Sequence, residues 1–538
     1  MNGTATDPAA DAPVAGTSAS DAPVRPGRFL ARAAAGAGGL TVIAALLGLV
    51  RDQAIARFFG ASHASDAFLI AWTVPEMAAT LLIEDGMALL LVPAFSLALT
   101  RRAAGGHARD PVRTLVADTL PRLCAALACA GGLLVWGAPW AVGILAPGLD
   151  DPRLAVDCTR LTAVTVLTFG ITGYFSAASR AHGRFLAPAG VYIAYNIGII
   201  GMTLALHSAW GVRAAAAGVA VGSLLMVLTL LPTCLRLMPA RGGKRAPRER
   251  GPALLGATVL APVVLFVVGR QSQVFVERFL ASSLPEGAIS HLNYAQKVAQ
   301  LPMVLSMMIC TVTFPVVAQA MAAGDREGAR RRVERDLALA GTVVLLGTAT
   351  VLGCAPHIIA VLFQRGAFDA ADTAATAGVM RVYALGLLGH TLVGALCRPF
   401  FSAGRPTWYP LGAMGAGLLV TTVAGLLLTG PFGVNGIAAA NAVGISTAAL
   451  LMLLGLGSRA VAVRAGAVAL SLARPAAAAA VAAVAGRLAT ALVTGPVTGL
   501  VAGCLLVPTA FLLTGLALRA PEAVHLLALI RQRIPHGR

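Results

Sequence analysis

The chain has 538 residues, of which 57% are hydrophobic and only 12% charged, with a formal net charge of +18 and a mean hydropathy of +0.80. So little charge excludes a soluble globular domain and places most of the chain in lipid. The positive balance raises the possibility of nucleic acid as a partner, but the placement of the charges argues against it.

Residues 1–33 read as a disordered cytoplasmic tail, rich in Ala, Asp, Ser, Thr and Pro in residues 1–27 and unable to bury a core. The first apolar run lacks a convincing cleavage site and is expected to stay as a helix. From there the apolar runs predict about fourteen transmembrane helices, at 34–58, 66–100, 116–146, 154–177, 187–207, 211–238, 253–282, 288–321, 337–363, 374–400, 408–429, 434–457, 469–490 and 496–518. The second and eighth runs exceed a straight span. Pro75 and Pro93, and Pro302 and Pro315, predict bends there.

The connecting loops alternate in charge. One set carries Arg101, Arg102, Arg109 and Arg113, then Arg180 and Arg184, then six basic residues between Arg236 and Arg250, then Arg326 to Arg335, Arg405, Arg459 and Arg464. The intervening loops hold little beyond Arg153, Arg213 and Arg365. Patches for nucleic acid would not alternate with the helices. The positive-inside rule explains the pattern as topology, with the basic set and both termini cytoplasmic and the chain a multi-pass protein of the inner membrane. The eight cysteines lie in apolar stretches without a Cys-x-x-Cys pair, and read as small packing residues.

The chain also repeats itself. Arg57-Phe58-Phe59-Gly60-Ala61-Ser62 returns as Arg278-Phe279-Leu280-Ala281-Ser282-Ser283, 221 positions on. Gly183-Arg184 followed by Pro188 returns as Gly404-Arg405 followed by Pro410, and Gly211-Val212 as Gly433-Val434. Duplication in a polytopic membrane protein points to a transporter built of two bundles around a central site. Helix one maps onto helix seven, so each repeat has six helices and both keep one orientation. The expected architecture is all-α: a first bundle at 34–238, a basic linker at 239–252, a second bundle at 253–458, two further helices within 459–519, and a cytoplasmic tail at 520–538.

Ionisable residues inside the spans need a reason, because each costs about 2.5–3.5 kcal/mol at mid-membrane. Helix one holds Arg51 and Asp52, then Arg57. Helix two carries a polar stripe of Asp66, Thr73, Glu76, Thr80 and Glu84 on one face, with Asp85 beside it. Helix seven holds Arg270, Gln273, Glu277 and Arg278, and helix eight Asn293, Gln296, Lys297 and Gln300. These helices are repeat mates, so the stripes are expected to line one water-accessible cavity, with Arg51, Asp52, Asp66, Glu84, Arg270 and Lys297 as its substrate-binding groups. Asp66 also fits a helix cap. Arg57 and Arg278, near helix ends, equally fit pairing or snorkelling, as do Arg160 and Arg381. His291 and His390 are assigned no role. No hydrolase, kinase or metal signature is present, and no Walker-type loop. The protein is therefore read as a transporter without enzymatic activity or cofactor, driven by an ion gradient, the membrane potential or the cargo's own gradient.

Several motifs together resemble the MurJ/MviN family, the lipid II flippases of the multidrug/oligosaccharidyl-lipid/polysaccharide exporter superfamily. They are Leu47-Gly48-Leu49-Val50-Arg51-Asp52, Ile55 to Ala61, Ser65-Asp66-Ala67-Phe68, Pro75, Glu84 and Val92-Pro93 in the first half. In the second half they are Phe279 to Ser282, Asn293-Tyr294-Ala295, Pro302, Leu362 to Gly366 and Phe401-Ser402. The resemblance covers about residues 30–519. It implies a cavity between two lobes, a groove for a polyprenyl tail at helices thirteen and fourteen, and movement of an undecaprenyl-pyrophosphate-linked glycopeptide (lipid II) to the outer leaflet by alternating access. Partners implied are that lipid, the bilayer and cell-wall synthesis proteins. The chain departs from the family's cationic pattern: Ala45, Ala79 and Thr80 stand where arginines are usual, Gln296-Lys297 replaces Asp-Arg, and Gln300 replaces an acid. Three alternatives stay open, namely export of another polyprenyl-linked glycan, export of a cationic amphiphile, or a transport-dead paralogue scaffolding wall-synthesis enzymes.

Overall fold

A computed structural model describes residues 26–84, 86–104, 110–149, 151–237, 257–307, 310, 325–402, 407–459 and 463–519. Among them the chain is helical throughout, with no strand. The first half comprises α1 (Pro26–Phe59), α2 (His63–Ala79), α3 (Gly86–Ala104), α4 (Pro111–Leu145), α5 (Pro152–Thr162), α6 (Thr165–Ala181), α7 (Leu186–Trp210) and α8 (Arg213–Leu237). The second comprises α9 (Ala257–Ala281), α10 (Ala288–Ala299), α11 (Arg326–Phe363), α12 (Ala370–Ala384), α13 (Leu387–Ser402) and α14 (Tyr409–Arg459). Two further helices follow, α15 (Ala465–Ala491) and α16 (Pro496–Ala517). Helix α1 begins at Pro26, within the stretch expected to be tail; the remainder of that tail, the basic linker 239–252, Asp85 and the tail 520–538 lie outside the described residues.

Eleven helices are long and apolar enough to cross a membrane, or twelve counting one bent pair, among the described residues. The expected count of fourteen is therefore not reached on this criterion. The shortfall falls on the seventh and eighth runs: α9 carries Arg270, Glu277 and Arg278, and α10 ends at Ala299, with Pro315 outside the described residues. The second run is broken as expected, by a π-turn at Thr80–Glu84 between Pro75 and Pro93. The fourth and tenth runs are broken too. α5 gives way to α6 at Ala163–Val164, and α12 meets α13 at a bend of 47°. No proline marks the first break. Instead Thr159, Thr162, Thr165 and Thr168 bond back to carbonyls one turn earlier, which bends helices.

The duplication is carried in the backbone. Gly211, closing α7, has φ 57° and ψ −141°. Gly433, which kinks α14 into two spans, has φ 54° and ψ −132°. Only glycine adopts these angles at no steric cost, so the same turn recurs at the same repeat position. One continuous core runs through both halves, with Ile55, Phe68 and Tyr174 from the first and Tyr294, Phe363 and Tyr383 from the second. A second core joins α11 and α13–α16. There α15 lies so close to α11 that Gly486 faces Gly353, and Thr490 Oγ1 donates to the Gly353 carbonyl at 3.3 Å. Outward-facing Leu and Val residues then meet lipid rather than water.

Gly433 has open space around its Cβ position, as does Gly430, so sterics of neighbours do not separate them. Gly433→Ala is expected to destabilise the protein by about 1–2 kcal/mol through its positive φ, and Gly430→Ala by none. Melting temperatures of the two variants in detergent check the difference.

Candidate functional site: a charge cluster between two bundles

Helix α1 delivers Arg51 and Asp52 to the centre of the molecule, where both are buried. Adjacent charges on a helix cannot face each other fully, yet the long arginine stem curls back. Its Nε and Nη2 donate to Asp52 Oδ1 at 3.0 and 2.9 Å. Nη1 donates to Asn196 Oδ1 on α7 at 3.0 Å, and Asn196 Nδ2 donates to the Ala44 carbonyl at 3.1 Å. From the other half, Lys297 on α10 brings its Nζ to 3.9 Å from the same Asp52 oxygen. Trp72 of α2 joins the two cations: Arg51 Cζ lies 4.3 Å and Lys297 Nζ 4.2 Å from its ring centroid. Its Nε1 donates to Tyr195 OH at 3.2 Å. Glu76 of α2 also acts on Lys297, so two cations meet two acids here. Arg51 has its fork occupied by Asp52 and Asn196, whereas the Lys297 side chain is 26% exposed and keeps N–H donors available.

The other expected ligands are placed elsewhere. Asp66 is buried away from the cluster, at the face opposite the basic loops. It accepts from the Gly287 amide at 2.8 Å, the Ser290 amide at 2.7 Å and Ser290 Oγ at 2.6 Å. It thus caps the N-terminus of α10 from the opposite half, a use of the capping chemistry across 221–224 residues rather than within one helix. Gly287 permits the approach, since it has φ 85° and a Cβ there would stand 2.6 Å from the Ala61 carbonyl oxygen. Around it the halves interlock further: Ala367 N donates to the Arg57 carbonyl at 2.9 Å, Ala61 N to Asp372 Oδ2 at 3.4 Å, and Gly148 N to Ser282 Oγ at 3.3 Å. The donors of this clasp are mostly main-chain amides and its acceptors mostly side chains.

Glu84 lies exposed in the π-turn and accepts from Tyr192 OH at 2.8 Å. Tyr192 in turn packs edge-on to Tyr195, whose hydroxyl accepts from Trp72 of the cluster. Arg270 sits on α9 where its charge bears on His390, inside the second half. Of the helix-two stripe, Thr73 and Thr80 bond back to Leu69 and Glu76 carbonyls, while Glu76 lies near enough to Lys297 and Arg278 to act on both. The helix-eight stripe divides as well. Asn293 accepts from Arg278 at 3.1 Å, and Gln296 donates to Tyr383 OH at 2.8 Å. Only Lys297 crosses to the first half. Several of the stripes' polar groups are thus satisfied within a bundle, while Asp66, Glu76, Thr80 and Lys297 act on partners in the other half.

Sequence reading missed one network. His390 Nε2 lies 3.3 Å from Tyr383 OH and 3.0 Å from Asn441 Oδ1, and Asn441 Nδ2 donates to buried Glu277. His390 and Asn441 are polar residues inside apolar runs, and that oddity is the signal that identifies them. Among the described residues no group of three or more His, Cys, Asp or Glu side chains is arranged to hold a metal. A separate crevice of about 510 Å³ opens between the halves, lined by Ile70, Val74, Val142, Phe275, Phe279 and Leu426 among others. Its lining suits hydrocarbon and offers an anion nothing.

Two helical halves of one repeat, clasped at one face and meeting at a charge cluster in the middle, define a polytopic transporter of the two-bundle class. The comparisons narrow this. The family model described as "Lipid II flippase MurJ" matches residues 55–506, and the chain belongs to that family. It is 28% identical over 434 residues to the lipid II flippase MurJ of Burkholderia cenocepacia, covering 79% of this chain and 83% of the relative. To the probable lipid II flippase MurJ of Rhizobium meliloti it is 27% identical over 434 residues, covering 77% and 78%. In fold it resembles the solved structure "Lipid II flippase MurJ, inward closed conformation", with a TM-score of 0.74 at 18% identity over 92% of this chain and 99% of that one. A multidrug resistance MATE family transporter of the MOP superfamily, in an inward-facing conformation, shares the fold at a TM-score of 0.62 and 13% identity, covering 79% and 96%.

Asp66→Ala should weaken the clasp by about 2 kcal/mol, the loss of a charged cap, and shift its opening roughly thirtyfold. In a cysteine-free background, labelling of Ser282→Cys by an impermeant maleimide is expected to accelerate accordingly. Unchanged labelling would remove Asp66 from the clasp.

Proposed function

We propose that the chain is a flippase that carries lipid II, the lipid-linked peptidoglycan precursor, from the inner to the outer leaflet of the cytoplasmic membrane by alternating access. Membership of the MurJ family and the names of its relatives support the substrate class. The observation that carries the mechanism is Lys297 of the second half meeting Arg51 and Asp52 of the first over Trp72. An anionic pyrophosphate entering here competes with Asp52 for the two cations. Winning that competition loosens the tie between the halves at their centre.

The basic loops lie on the cytoplasmic side in this reading, with both termini, by the positive-inside rule. The bundles 34–238 and 253–458 rock about the cluster, and the Asp66 clasp is the outer gate, shut in the state described. Lys297 is the first contact for pyrophosphate because its donors are not committed, and Arg51 the second once its fork turns from Asp52. Helices α15 and α16 lie outside the duplication and take the polyprenyl tail. The acidic stripe does not favour a cationic cargo, since Asp66 holds the clasp and Glu84 pairs with Tyr192.

Complementation tests the proposal. Expressed in a bacterium depleted of its own lipid II flippase, the chain should restore growth and lipid II exposed on the outer leaflet. Lys297→Ala and Arg51→Ala should each lower that exposure about tenfold or more, the value of a charge-assisted phosphate contact, while Lys297→Arg retains it. Tolerance of both alanines by a rescuing protein would refute the pyrophosphate contact, and a well-inserted chain that fails to rescue would favour a scaffold or another cargo.

A further inference from the structure

The half of the membrane away from the basic loops holds two arginines that the central cluster does not use. Arg381 stands on α12 and Arg487 on α15. Among the described residues the helices beside them offer no nearby acid: α11 has none beyond Asp336, α12 none beyond Asp372, and α15 and α16 none at all. Helix geometry brings the two to similar depth. α12 starts at the face of the Asp66 clasp, with Arg381 about 16 Å along it, whereas α15 ends at that face, with Arg487 about 6 Å short of the end. Side chains lean toward the N-terminus of their helix, so Arg381 leans toward the face and Arg487 away from it. The Arg487 charge accordingly bears on Arg381, whose Nε is buried without a hydrogen-bond partner. Next to them, Gly353 of α11 packs against Gly486 and the Arg487 amide, and His357, one turn on, has a buried Nδ1 that is likewise unpartnered.

Two like charges that act on each other in a medium of low dielectric favour a counter-ion. The bilayer supplies one in its phosphates, which a guanidinium grips with paired N–H donors. Arg487 is exposed on the lipid side and flanked by exposed Val484 and Leu488, while Arg381 is half-buried behind it. A headgroup therefore has a way in from the bilayer, with an apolar strip for its chain. We propose that Arg381 and Arg487 form a binding site for the phosphate of an anionic phospholipid, in the leaflet away from the basic loops and at the seam where α15 joins the second bundle.

Native mass spectrometry of the full-length protein in detergent, titrated with phosphatidylglycerol, tests this. Arg381→Gln and Arg487→Gln are each expected to lower retained phosphatidylglycerol about tenfold, with binding of uncharged diacylglycerol unchanged. Arg487 lies on the surface, so Arg487→Gln decides the matter even where Arg381→Gln fails to fold. Equal retention by Arg487→Gln and the unsubstituted protein overturns the proposal. So does selective loss of undecaprenyl pyrophosphate with phosphatidylglycerol retained, which would give the pair to the cargo, and so does inorganic phosphate displacing the lipid completely.

Discussion

An ion inside a bilayer has no water to fall back on, so it must be neutralised by something that packing holds in place. The pairing of Arg51 with Asp52 answers that demand at the centre of this molecule, and much else follows from it. Because neighbours in sequence supply both charges, the pair forms within α1 and needs no other helix to exist. Asn196 completes the guanidinium from α7, and Trp72 covers it from α2. Asp52 then has acceptor capacity left, and that remainder is what draws Lys297 across from the other half. The central contact between halves is thus an ion pair at its loosest, long and partly exposed, leaning on a strong one.

The second contact between the halves is of a different kind. At the clasp, one carboxylate collects the amides of Gly287 and Ser290 and the Ser290 hydroxyl, all at hydrogen-bond distance. Such bonds are short-ranged and directional, so they vanish within a small displacement, whereas the attraction between Lys297 and Asp52 decays slowly with distance. A molecule held by both can open at one face while its centre stays associated. That division of labour is what alternating access asks of a two-bundle transporter.

Much of this was readable from residues alone, and the divisions have physical reasons. The duplication, the membrane class and the trio of Arg51, Asp52 and Lys297 were accessible because charged residues within apolar spans are few and each demands an explanation. The partner of Asp66 was not, since a cap given to a helix more than two hundred residues away leaves no spacing in the sequence. Arg270, Gln296 and Asn293 shared the helical periodicity of cavity-lining groups, yet periodicity names a face and not what lies against it. Here the second bundle lies against it. The helix break at Ala163 is hidden for a similar reason, because threonine hydroxyls bond back there without a proline.

The make-up of the clasp also bears on how this protein tolerates change over time. On the second half its donors are largely backbone amides, which every residue but proline provides. Side chains along that rim can drift where only the amide serves, so long as Gly287 keeps its backbone angle and Ser282, Ser290 and Asp372 keep their bonds. The heaviest burden of identity falls on the first half, on a single carboxylate of the right length. An interface built this way is asymmetric in its genetics although it joins two copies of one ancestral repeat: one copy rests on a single letter, and the other spreads its part over amides and the side chains of Ser282, Ser290 and Asp372.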